Sequence, residues 1–171
     1  MPFRSLLTLL LFSSFLGLVA ADEPIGVLPK AASGRSLNLD FETGTLADWT
    51  TEGKAFAQQP IQGDTVKLRR RDMASAHQGE YWIGGFERLG DQPTGTLTSA
   101  PFVVTHPWAA FLQNGGQHAE TRVELVRADN GEVFFQTHGE DHEQMRRIAV
   151  DLRKLQGKKI FIRLVDRHKK G

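Results

Sequence analysis

Phe111–Phe135 reads FLQNGGQHAETRVELVRADNGEVFF. Val123 and Leu125 alternate with charged neighbours, Ala128-Asp129-Asn130-Gly131 supplies residues that tolerate a tight turn, and Val133 and Phe135 return. Alternation with period two buries one face of a strand and wets the other, and an Asn-Gly turn between two such runs marks a β-hairpin. The same grammar extends outward. GEYWIGGFE (79–87), GTLTSAPFVV (95–104), Ala110–Gln113, Ile148–Leu152 and GKKIFIRLVD (157–166) are short apolar runs separated by Gly or Pro. No long amphipathic helix interrupts them. The expected fold is all-β, an antiparallel β-sandwich.

Residues 1–21 read as a secretory signal peptide, with Arg4 as the basic start, Ser5–Val19 as an apolar stretch short for a membrane span, and small residues at a cut after Ala21. Cleavage leaves 150 of the 171 residues, enough for one domain with a core of its own. The expected location is secreted or periplasmic, with no stable membrane span once the peptide is removed. Residues 22–36, with Pro24, Pro29 and Gly34, read as a flexible lead-in, and 37–171 as the sandwich module. Without Arg4 the 21 Lys+Arg fall to the number of Asp+Glu, 20, so the mature charge is neutral and no nucleic-acid partner is expected. The sequence has no cysteine, so stability rests on core packing, with a metal as a further candidate, and not on disulfides.

Finer expectations follow from the alternation. Leu37–Glu42 reads as a first strand with Asn38, Asp40 and Glu42 on one side. Residues 53–61 read as a second short strand around Ala55 and Ala57 or around Phe56. Gln62–Gln78 reads as a surface loop with room for a helical turn, in which Arg69-Arg70-Arg71 is a solvated face. Tyr81–Phe86 returns to strand.

Taken together, Asp40-Phe41-Glu42-Thr43-Gly44-Thr45-Leu46 with Asp48-Trp49, the run Gly79–Glu87, Gly95–Ser99, Phe111-Leu112 with Gly115-Gly116, Arg122–Leu125 and Ile162–Asp166 resemble galactose-binding-like jelly-roll modules. The resemblance covers about residues 37–168. It points to modules attached to secreted levanase-type family-32 glycoside hydrolases, and to modules of large exported bacterial proteins with cytochrome c-type domains. In such modules the last strand read here continues through Gly-Gly-Trp-Gly-His into a closing strand, whereas this sequence runs Arg167-His168-Lys169-Lys170-Gly171. The resemblance thus implies a sandwich lacking its closing strand.

It also implies chemistry. Modules of this kind often hold a structural calcium near the first strand, where Asp40 and Glu42 would supply carboxylate oxygens. Sugars stack on exposed aromatic rings while polar side chains meet their hydroxyls. Trp82 and Trp108, with Tyr81, are the aromatic candidates, and Asn114, His118 and Arg122 surround the Gly115-Gly116 turn. Tyr81 and Trp82 are neighbours on a strand, so one of the two belongs to the core. His138 and His142 have a spacing that converges on zinc only in a helix, which Gly139 disfavours, so their segment reads as a polar loop. Glu42, Glu87 and Asp91 are the carboxylates open to a glycosidase reading, but no motif pairs them. The expected function is non-catalytic carbohydrate binding or the docking of an associated enzyme domain. A structural module without a sugar site is the alternative, and a glycoside hydrolase fragment the third reading.

Overall fold

The computed structural model describes residues 26–169; the signal-peptide reading of 1–21 lies outside the described residues. The strands are β1 (Trp49–Gly53), β2 (Ile61–Gln62), β3 (Tyr81–Trp82), β4 (Gly95–Ser99), β5 (Phe102–Val103), β6 (Trp108–Gly115), β7 (Thr121–Arg127), β8 (Val133–Thr137), β9 (His142–Asp151) and β10 (Lys159–Asp166). Helical structure is confined to α1 (Val66–Arg69), α2 (Gly85–Leu89) and a 3₁₀ turn at Arg153–Leu155. Among the described residues no helix is long and apolar enough to cross a membrane.

The main sheet runs β1-β4-β10-β7-β8, with β5 pairing the start of β10. All of its pairings are antiparallel. β6 and β9 form a second antiparallel sheet, and β2 and β3 a small third one. The hairpin read from Asn130-Gly131 is β7–β8, with Leu125 opposite Phe135 and a bulge before the Val126–Val133 pair. The long sheets meet through side chains that alternation predicts. Leu125 and Ile160 of the main sheet pack with Val150 of β9, and Phe111 of β6 and Ile148 of β9 complete the layer. A second cluster joins Leu97 of β4 to Ala55 and Phe56, with Phe41, Leu46 and Trp49 packed against it. The result is an all-β sandwich.

Three local expectations change. Leu37–Glu42 is not a strand but a series of bends. Buried Asn38 takes over the backbone there: its amide nitrogen donates to the carbonyls of Thr45 (2.9 Å) and Ala47 (3.3 Å), and its Oδ1 accepts from the amide of Thr43 (3.2 Å). Such side-chain bonds compete directly with a ladder. The strand expected within 53–61 lies earlier, at β1, because the amides of Lys54 and Ala55 both turn onto the Thr94 carbonyl. Ala55 and Phe56 are therefore buried from a turn. Finally, the strand from Tyr81 stops after Trp82, and the chain enters α2 at Gly85.

Residues 29–36, read as part of the lead-in, close a turn. Lys30 pairs with Ser36, Leu37 donates to the Pro29 carbonyl at 2.8 Å, and Ala31 packs on the main core.

Candidate functional site

The face of the main sheet turned away from the core carries the densest polar chemistry. Register fixes its composition. Thr50, Thr98, Arg163, Glu124 and Gln136 are direct cross-strand partners in succession from β1 to β8. Directly paired residues share a face, and their chain neighbours Leu97, Leu125, Ile162 and Leu164 point into the core. The five side chains thus form one row on the outer face. Strands about 4.8 Å apart make that row roughly 19 Å wide. A second row, Glu52, Thr96, Val165 and Arg122, runs beside it.

Glu124 anchors both rows. It is 1% exposed, which only paired charges tolerate. Its Oε1 accepts from Arg122 Nε at 2.7 Å, and its Oε2 from Arg163 Nε at 2.6 Å. The terminal guanidinium nitrogens close both pairs, and the two arginine side chains remain 22% and 34% exposed. Arg122 also donates to the Ala119 carbonyl at 2.9 Å. One buried carboxylate therefore fixes two guanidinium planes whose outer edges face solvent. Fixed donors lose little freedom when a hydroxyl or carboxylate meets them.

The second row runs, at Glu52 and Thr96, into a groove of about 380 Å³ whose lining also includes Thr94, Arg167 and Lys169. The tail of β10 is tied to the start of β7 here: Arg167 donates to the Glu120 carbonyl at 3.1 Å, and Thr121 Oγ1 to Asp166 Oδ1 at 3.2 Å. Burial, aided by the nearby charge of Asp91, pushes the Asp166 carboxyl up from its ordinary range.

The structure brings some of the anticipated residues together and separates others. Arg122 lies on the outer face, and His118 lies at its end, stacked on His168 with ring centroids 3.7 Å apart. Asn114 is turned to the other sheet, where its amide nitrogen donates to the Glu143 carbonyl at 2.5 Å. Trp82 is the core member of the Tyr81–Trp82 pair. It is 6% exposed, packs with Ile61 and Val66, and spends its indole N–H on the Gly63 carbonyl at 2.8 Å. With its surface covered, its ring offers a sugar no platform. Trp108 is 56% exposed, but it starts β6, six residues from Asn114 and about 20 Å along the strand. There the Arg153 guanidinium lies 5.4 Å from its ring centre.

Asp40 and Glu42 share a depression of about 300 Å³, whose lining also includes Arg35. Glu42 turns both oxygens onto the amide of Glu80 (3.1 and 2.9 Å), and Oε1 also accepts from the amide of Tyr81 at 3.1 Å. Asp40 Oδ1 faces the amide of Glu42 at 3.4 Å. The Glu42 carboxylate is thus spent on two backbone amides, whereas a calcium site needs six to eight converging oxygens. Glu87, open to the glycosidase reading, is held by Arg69 at 2.7 Å and by the Thr65 hydroxyl at 2.8 Å. Arg69 also pairs with Glu143 at 2.6 Å, which holds that carboxyl below its usual range. At least the first of the three consecutive arginines is thus a structural cross-link and not a solvated charge. His138 lies in a loop, its Nδ1 2.8 Å from the Gly139 carbonyl, and His142 opens β9.

Glu124, Arg163, Glu120 and His168 escaped the sequence reading. A signal existed for the first two. Each is a charge flanked by apolar residues, in RVELV and IFIRLV, and a charge in such a place needs a partner within the sheet.

The molecule is thus an all-β module with a preorganised polar sheet face. No protein-family model matches the chain. Over 124 residues, 72% of this chain, it is 29% identical to a protein of Aspergillus rugulosus named "Putative glycosyl hydrolase ecdE", and the match spans 17% of that protein's length. Among solved structures it is similar to TmCBM61, determined in complex with β-1,4-galactotriose, with a TM-score of 0.49 and 18% identity over 77% of this chain and 87% of that one.

Proposed function

We propose that the chain is a non-catalytic carbohydrate-binding module of a larger exported protein, and that the outer face of the main sheet takes the sugar. The observation that carries this reading is the row Thr50–Thr98–Arg163–Glu124–Gln136. It offers two hydroxyls, an amide and the Arg163 guanidinium across the sheet, and the buried Glu124 carboxylate holds that guanidinium in place. A linear glycan presents hydroxyls at intervals along an extended strip, which such a row matches. Support also comes from scale. The likeness to the fungal glycosyl hydrolase covers most of this chain and 17% of that protein, the proportion of one module within a larger enzyme. A signal peptide at 1–21 would deliver the module to extracellular or periplasmic glycans.

Binding is assigned over catalysis because two of the three carboxylates open to a glycosidase reading are committed elsewhere, Glu42 to backbone amides and Glu87 to Arg69. Few of the donors on the row are fully desolvated, so dissociation constants from about micromolar to millimolar are expected. The test is affinity electrophoresis of the purified chain through gels cast with neutral polysaccharides. Retarded migration that is lost in Thr98→Val and Arg163→Met is the expected result. A folded chain retained by no polysaccharide would favour the docking of an enzyme domain instead.

A further inference from the structure

At the end of the sheet where β7 begins and β10 finishes, three side chains converge. One potential ligand atom from each of His118, Glu120 and His168 lies within 4.8 Å of the other two. The convergence is built by the backbone. The Arg167 amide bonds to the Glu120 carbonyl, and the Thr121 amide closes onto the His118 carbonyl at 2.9 Å. The two imidazoles stack face to face, 3.7 Å between centroids and 10° between planes. Among the described residues, no hydrogen bond engages the ring nitrogens of either histidine or the carboxylate of Glu120. Arg122, at the start of the neighbouring strand, is already paired with Glu124.

Two imidazoles and a carboxylate are a donor set of divalent transition metals, which take nitrogen ligands that calcium and magnesium do not favour. Bonds of about 2.0–2.1 Å place tetrahedral donors roughly 3.3 Å apart, so an ion here requires the donors, now within 4.8 Å of one another, to close up and the stacked rings to turn. We propose that His118, Glu120 and His168 form a binding site for a divalent transition metal of the zinc class, with the remaining coordination positions open to water. Such an ion staples the 115–121 loop to the tail of β10. Arg167 and Lys169, which line the groove, flank one of its ligands in the chain. The site is independent of the sugar reading and of Asp40 and Glu42.

The experiment is a titration of the full chain, free of any affinity tag, with zinc chloride alone, followed by calorimetry and by thermal unfolding, with calcium chloride as comparison. The proposal expects one zinc per chain, a raised melting temperature, and no such rise with calcium. His118→Ala and His168→Ala should each weaken zinc binding at least about tenfold, while His106→Ala leaves it unchanged. Cobalt substitution gives a readout independent of stability: absorption bands of a low-coordinate Co²⁺–imidazole centre should appear with the chain and vanish in His168→Gln. Absence of stoichiometric zinc binding, or binding that persists when both histidines are replaced, overturns the proposal.

Discussion

The turn-rich hook at 37–48 and the outer face of β7 and β10 both depend on carboxylates, but the carboxylates grip different things. In the hook, Glu42 and Asp48 hold the backbone. Glu42 caps the amides of Glu80 and Tyr81, and Asp48 accepts from the amide of Asn38 and from Arg35. On the sheet face, Glu124 holds no backbone amide; it holds two side chains that reach solvent. A carboxylate that ends on amides builds architecture. Glu124 instead leaves two guanidiniums oriented and partly free, which is what a ligand surface requires. Residue type alone does not distinguish the two cases; Asp48 holds a backbone amide besides its arginine, and Glu124 does not.

The largest effect should come from removing the shared anchor of the face. Glu124→Ala leaves two arginines beside a desolvated site, and a loss of about 3 kcal/mol in urea unfolding is expected, the low end for a broken buried pair because both arginines are partly exposed. A loss under about 1 kcal/mol would place Glu124 with ordinary surface pairs.

Asp48→Ala comes next, at about 2 kcal/mol, from losing an amide acceptor and a two-pronged arginine pair. The hydrogen bond from Arg35, then that from the Asn38 amide, holds its carboxyl at about 2 against an ordinary 3.8. Its contribution is therefore complete above pH 3.8 and fades as pH falls towards 2. The variant should lose less stability than the parent chain across that interval, read by unfolding curves at fixed ionic strength.

Gly79→Ala should cost about 1 kcal/mol, since φ is 81° and a Cβ there overlaps the Glu42 carboxylate. Combining it with Glu42→Ala should cost less than the sum of the two changes, because the clash disappears with its partner. Simple additivity would mean that the carboxylate does not occupy this place. Trp108→Ala should change least, within about 0.5 kcal/mol, because the ring is largely exposed. It should also leave polysaccharide retention unaltered. Loss of retention would move the ligand to the face of β6 and β9.

The strands were legible where alternation is strict. The β7–β8 hairpin and β10 stand where their patterns place them. The hook was not, because its apolar spacing mimics a strand while Asn38 diverts the local amides to its own side chain. Phe56 misled for the same reason: an apolar residue is buried as readily by a turn as by a strand. At the site, Arg122 and His118 were readable as polar residues beside a glycine turn. The link from Glu124 to Arg163, and that from His118 to His168, were not, since β10 and its tail lie far along the chain and only the sheet register brings them beside β7. Trp82 shows the limit of aromatic identity, because which of two neighbouring rings faces inward depends on what Ile61 and Val66 pack against.

The most direct test of the sugar-binding face is a backbone amide NMR titration with the oligosaccharide whose parent polymer retards the chain most. The account predicts that the largest shift changes fall on Thr50, Thr98, Arg163 and Gln136, and that Trp108, Ala110 and Ala149 stay still. Changes confined to the Trp108 face, with the Thr50–Gln136 row unmoved, would contradict it.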